Sequence, residues 1–209
     1  MNKEAINNLE LILPLLEFKE EGDFYTVNIY LRKKDKNTDK SNTQSVRCIK
    51  TYVVYSKEYL HKRYEEIKQL CELFGARAYI SLNSANNKDI ALKMIEKLVH
   101  CLQNKNHKVE GVYNSVVGSL SSKERIWILD IDSEYMNRLE DIKAKLDDFR
   151  PEGNKLLQQI PSKSGIHLIT KRFDSEALEN WCKENQLEVQ INKHNPTNLY
   201  IPSSLINQI

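Results

Sequence analysis

The sequence predicts an α+β fold in which a sheet packed with helices follows a smaller α/β unit. Three observations carry this expectation. Short segments alternate apolar with polar residues or run apolar for up to four positions, as strands do. Longer segments between them repeat apolar residues every three or four positions, as amphipathic helices do. In the second half these segments fall in the order β-α-β-β-α-β, the signature of a ferredoxin-like or RNA-recognition-type sheet.

Residues 1–18 read as a short helix or an irregular lead-in. Residues 23–32 read as a strand in which Tyr25, Val27 and Ile29 alternate with more polar neighbours. The polar stretch 33–45 reads as a solvated hairpin loop, and residues 46–55 return as the second strand. A helix is expected over 57–74, because Leu60, Tyr64, Ile67 and Leu70 share one face and Gly75 suits its C-terminal cap. A strand over 76–82 and a polar turn over 83–87 lead to a helix over 88–102. Its expected buried stripe is Ala91, Met94 or Ile95, Leu98 and Leu102. Residues 103–125, broken by Gly111 and Gly118, read as a connection with a short helix. Residues 126–131 are the clearest strand. A charged helix over 134–149 buries Leu139, Ile142, Leu146 and Phe149, and Arg150-Pro151-Glu152-Gly153 stops it. Strands over 156–161 and 165–170 flank the turn Ser162-Lys163-Ser164. A helix over 175–185, capped by Asp174, buries Leu178 and Trp181, and short strands over 188–191 and 198–201 follow. The expected organisation is an amino-terminal unit over 1–102, a connection over 103–125 and a second unit over 126–209, together forming one compact domain.

A chain of 209 residues with 40% hydrophobic and 29% charged residues can bury a sizeable core. The formal charge of +2 does not by itself argue for a polyanionic partner. Cys48, Cys71, Cys101 and Cys182 form no C-x-x-C pair, which suits reduced structural thiols better than a zinc site or a disulfide framework. No apolar run reaches the 18 or more residues of a membrane span. Near the amino terminus, Glu10 and Pro14 interrupt an apolar run that is short for a signal peptide. A cytoplasmic location with no membrane partner is the expectation.

Two segments carry chemistry. Ile126-Trp127-Ile128-Leu129-Asp130-Ile131-Asp132 is apolar until it turns acidic at its end. Residues two apart on a strand share a face, so Asp130 and Asp132 should converge while Ile131 points to the opposite layer. A divalent cation such as Mg²⁺ or Mn²⁺ relieves the repulsion between two such carboxylates, since it takes hard oxygen ligands. The plainer alternative is that Asp132 caps the next helix and Asp130 merely ends a strand. The second segment is Ser162-Lys163-Ser164-Gly165-Ile166-His167-Leu168-Ile169-Thr170. Gly165 permits a tight bend or the close approach of a phosphate. His167 should share a face with Gly165 and Ile169, where it can bond a phosphate or ribose hydroxyl, or can simply be a structural histidine. Lys163, Lys171 and Arg172 add a basic rim. Arg77 and Tyr79 share a strand face as a candidate phosphate clamp and stacking ring, and an exposed pair without a ligand fits equally. His194, in a polar turn, is a weaker candidate for the same site. Paired H-x-T or H-x-S triplets do not occur, which argues against a two-histidine phosphoesterase.

Leu129-Asp130-Ile131-Asp132 followed by Ser164-Gly165-Ile166-His167-Leu168 resembles the archaeo-eukaryotic primase superfamily, including the small primase-polymerases of phages and mobile elements. The resemblance spans about residues 46–201 and rests on these two motifs. It implies that Asp130 and Asp132 bind the catalytic Mg²⁺ or Mn²⁺ and that His167 contacts the phosphates of a nucleoside triphosphate. Lys163, Ser164, Gly165 and Arg172 would complete the nucleotide site, with Arg77 and Tyr79 on the DNA or RNA strand. The implied function is a metal-dependent nucleotidyltransferase working in replication, with replication proteins as partners. The chain departs from the family pattern on the later strand. There the family places a third acid, whereas this sequence reads Glu188-Val189-Gln190-Ile191-Asn192. A noncatalytic nucleic-acid-binding module and an accessory protein acting through protein contacts are the alternatives.

Overall fold

The computed structural model describes residues 4–32, 35, 46–105, 111–119, 125–193 and 196–207. The chain forms a mixed α+β structure with two antiparallel sheets packed against helices. Among the described residues, no helix is long and apolar enough to cross a membrane.

The first sheet is built on the long strand β2 (Asp23–Leu31), which pairs with β3 (Arg47–Val54) as a hairpin. Its other side takes β4 (Arg77–Ile80) and, at its start, β5 (Ala85–Asn86). Beyond β4 lie β10 (Thr197–Ile201) and then β1 (Ile6–Asn7), giving the order β1-β10-β4-β2-β3. The strand expected to trail the second unit is therefore an inner strand of the first sheet. The lead-in contributes its edge strand, the short helix α1 (Leu9–Ile12) and a 3-10 turn at Leu13–Leu15. The loop expected over 33–45 lies outside the described residues except for Asp35. That residue is buried, not solvated.

Helix α2 (Lys57–Phe74) begins where the Ser56 hydroxyl accepts the Tyr59 amide at 3.1 Å, and ends at Gly75 with φ of 55°. Leu60, Tyr64, Ile67 and Cys71 are its buried stripe, one residue on from the expected Leu70 at the last position. Helix α3 (Asn87–Gln103) departs further from expectation. It turns Ile90, Met94 and Leu98 toward Phe24, Val112 and Val116, the latter two on α4 (Val112–Ser119). Leu92, Ile95, Val99 and Leu102 are exposed, and so is Ala91. Both stripes are apolar at helical spacing, and the one that meets Phe24 of β2 is buried.

The second sheet has the order β7-β8-β6-β9, all antiparallel, with β6 (Trp127–Asp132), β7 (Leu156–Pro161), β8 (Gly165–Thr170) and β9 (Gln190–Asn192). Helix α5 (Leu139–Asp148), entered through a 3-10 turn at Ser133–Arg138, connects β6 to β7. Helix α6 (Ser175–Glu184), capped by the Asp174 carboxylate at the Ala177 amide, connects β8 to β9. Strand alternation divides β6 between two cores. Trp127, Leu129 and Ile131 pack with Leu139, Ile142, Leu146, Leu178 and Cys182 of the helices. Ile128 turns the other way and, with Ile160 and Ile169, joins the core of the first sheet. A final short helix, α7 (Ser203–Ile206), follows β10.

Buried polar groups secure the join. Asn8 donates to the carbonyls of Pro161 at 3.0 Å and Asn198 at 2.9 Å, tying the lead-in to β7 and β10. Asn83 exchanges two hydrogen bonds with the backbone of Ile126, just ahead of β6. The second sheet is thus held at a set position against the first, with Asp130 on the side that faces it.

Candidate functional site

Asp130 and Asp132 leave β6 on the face away from Ile131, as alternation requires. In the β6–β8 ladder, Asp130 stands directly across from His167 and Asp132 across from Gly165. The two motifs read from the sequence are therefore neighbours in one sheet, on one face. Asp130 is half-buried, Asp132 is exposed and His167 is buried. Asp132 precedes the 3-10 turn, yet its side chain makes no capping bond there. It accepts instead from the Ser164 hydroxyl at 3.4 Å, so capping does not explain it.

His167 is held from both sides. Its Nε2 lies 3.5 Å from the Asp130 carboxylate, and its Nδ1 lies 2.9 Å from the hydroxyl of Thr197. Burial pushes its pKa below the ordinary histidine value, while the Asp130 charge pulls the other way; burial prevails. Burial thus favours the neutral imidazole.

The turn between β7 and β8 is fixed by backbone bonds. The Ser162 amide donates to the Gly165 carbonyl at 3.0 Å, and the Ser133 amide donates to the Ser164 carbonyl at 2.7 Å. Gly165 is required by the sheet itself. A Cβ there would stand 2.0 Å from the Ile131 carbonyl oxygen and 2.9 Å from the Asp132 Cα. The missing side chain thus admits the neighbouring strand. A groove of about 510 Å³ is lined by Ser133 and the Ser162–Gly165 turn together with Glu4, Ile6 and Ile206. A second hollow of about 570 Å³ runs along α3 beside Lys93, Glu96 and Lys97, well removed in sequence from the acidic pair.

The remaining candidates are dispersed. Arg77 is buried and paired with the buried Asp35, so its guanidinium is committed inside the protein and is not displayed on a sheet face. Lys163 reaches the same Asp35 carboxylate at 3.8 Å. Tyr79 is half-buried, and its hydroxyl accepts from Arg32 at 3.1 Å. Arg172 is exposed beyond the far end of β8, roughly 20 Å along the strand from Gly165 at about 3.3 Å per residue. It does not share a phosphate with Lys163. His194 lies outside the described residues.

Thr197, Asp35 and Gln190 join the neighbourhood without having been singled out in the sequence. Gln190 of β9 stands directly across from Asp130, so this strand sets an uncharged amide beside the acidic pair. Glu188 is exposed and precedes that strand. Among the described residues, no three His, Cys, Asp or Glu side chains are grouped to hold a metal ion. Two carboxylates on one strand face still match the donor types of Mg²⁺, which is commonly held by one or two carboxylates together with substrate phosphates. No protein-family model, curated protein or solved structure matches this chain.

Proposed function

We propose that this protein is a divalent-metal-dependent nucleotidyltransferase of the primase-polymerase type, acting on nucleoside triphosphates and a nucleic-acid strand. The observation that carries the reading is the ladder register Asp130 to His167, with Asp132 on the same face. The order β7-β8-β6-β9, with α5 and α6 as the two crossovers, supports a ferredoxin-like, RNA-recognition-type catalytic unit. The other face of β6 is closed by those helices, so chemistry belongs on the side of the first sheet.

In this reading Asp130 and Asp132 hold Mg²⁺ or Mn²⁺. When bound, the metal supplies charge neutralisation at the phosphates and a more acidic attacking hydroxyl. The 3′-hydroxyl of the strand attacks the α-phosphorus of the nucleotide, and pyrophosphate leaves. Asp130 and Asp132 would act here as the holders of that metal, since carboxylates by themselves repel a phosphate. His167, neutral and buried, donates a hydrogen bond to a phosphate oxygen without bringing a competing charge. Ser164 offers a hydroxyl at the Asp132 end, and the Lys163 ammonium of the same turn faces Asp35. A cytoplasmic setting and replication proteins as partners belong to the same proposal.

The decisive experiment is incorporation of labelled nucleotides on a primed and an unprimed template with Mg²⁺ or Mn²⁺. Activity should require the metal and fall at least ~100-fold in Asp130→Ala, the scale on which removing a charge-stabilising group acts. Wild-type protein that binds nucleic acid but incorporates nothing across metals and nucleotides would sink the enzymatic reading. Gln190 beside the acidic pair favours the second reading, a noncatalytic nucleic-acid-binding module. That module predicts binding insensitive to chelator.

A further inference from the structure

His167 sits at the seam between the sheets. One ring nitrogen faces Asp130 within its own sheet, and the other faces Thr197, which belongs to β10 in the first sheet. Thr197 is fully buried and paired across the ladder with Ile80, so water does not compete for its hydroxyl. A neutral imidazole carries one donor and one acceptor, whereas an ionised carboxylate only accepts. Both neighbours are satisfied in one arrangement. The ring proton lies on Nε2, toward Asp130, and Nδ1 accepts from the Thr197 hydroxyl. The reverse tautomer sets a bare Nε2 lone pair against the carboxylate, in a buried place where repulsion is weakly screened.

We propose that Thr197 is a positioning residue whose hydroxyl donates to Nδ1 and fixes His167 as the Nε2–H tautomer. His167 then meets a ligand as a hydrogen-bond donor to an anionic oxygen and is not a third metal ligand. The 3.5 Å separation from Asp130 exceeds a good N–H···O bond, which leaves the Nε2 proton available to a phosphate oxygen placed nearer than that carboxylate. The β-branched Thr197 holds its hydroxyl in few rotamers on a paired strand, so a residue of the first sheet sets the ring of the second. The identity of the anion rests on the proposed function, but the tautomer does not.

The test is a long-range proton–nitrogen correlation spectrum of uniformly ¹⁵N-labelled protein near pH 7, with the His167 signals assigned by their loss in His167→Gln. Wild type and Thr197→Ser should show a protonated Nε2 and a bare Nδ1. Thr197→Val, which keeps the shape and loses the hydroxyl, should shift toward a mixture of tautomers, with Thr197→Ala giving the same comparison if Val does not fold. An Nδ1–H ring in wild type, a doubly protonated ring, or signals unchanged in the hydroxyl-free variants would overturn the proposal. Calorimetry with inorganic pyrophosphate and Mg²⁺ supplies the second arm. Thr197→Val should bind about three- to tenfold more weakly, the scale of one net hydrogen bond, and Thr197→Ser should recover most of the loss. If the expected tautomer is seen but wild type binds no pyrophosphate or nucleotide, the proposed function fails and the role of Thr197 stands.

Discussion

Gly165 has the least room for a side chain among the described glycines at positions 22, 75, 111, 153 and 165. Any side chain at that position enters the backbone of β6, so either the ladder opens or the Ser162–Gly165 turn moves. Gly165→Ala should cost about 2–3 kcal/mol, at the upper end for overpacking, and denaturant melts would measure it. His167 makes stability depend on pH with a definite sign. Its folded pKa is depressed, so on acidification the unfolded imidazole takes its proton near 6.5 while the buried one resists. The contribution is complete above that pH and is lost below it, at no more than about 1.4 kcal/mol per pH unit for one proton. Melts from pH 7.5 to 5.5 should lose less stability in His167→Gln than in wild type. An equal or steeper loss in the variant would contradict the buried neutral ring. The shared face of Asp130 and Asp132 was legible in the sequence because strand alternation admits one arrangement. The register that sets His167 across from Asp130 was not, since a slip of one residue would turn the ring to the other face. Thr197 was not legible, since 30 residues and a change of sheet separate it from its partner. Asp35 was hidden in the same way, as part of a polar stretch that suggested only solvent.

Helix α3 marks the limit of periodicity as a guide. Its sequence has two apolar stripes, and spacing alone does not say which meets the sheet. Contact with Phe24 and Val116 selects Ile90, with Met94 and Leu98 following it. The opposite stripe stays outside, Ile95 at 60% exposure against 4% for Ile90. Ile90→Ala should therefore cost about 2–4 kcal/mol, and Ile95→Lys should stay within about 0.5 kcal/mol. Thermal melts of the two variants settle the register, and the reverse order of effects would refute it. The two central strands of the second sheet were easier to read, because β6 and β8 each carry an apolar run bounded by a turn or a helix cap. Trp127, Leu129 and Ile131 on one face and Ile128 on the other needed only period two to be sorted.

The whole molecule is less divisible than its sequence suggests. A boundary near residues 103–125 separates the two halves of the chain, yet Ile128, Ile160 and Ile169 complete the core of the first sheet. No local pattern reveals that β10 crosses back to lie between β1 and β4, because strand pairing over such separations leaves no periodic trace. A fragment ending at residue 125 lacks that strand and exposes an open β4 edge, which invites association with other chains. The fragment should fail to give a cooperative melt and should be cut rapidly by protease, while residues 1–209 resist. A fragment that melts cooperatively as a monomer would show that the first sheet closes without β10. The same crossing sets an order of events on the ribosome. β4 is made more than a hundred residues before its partner, a delay on the order of ten seconds at ordinary rates of synthesis. Throughout that interval one edge of a nearly finished sheet waits for the last strand, and a growing chain needs a helper or low crowding to keep it from pairing elsewhere.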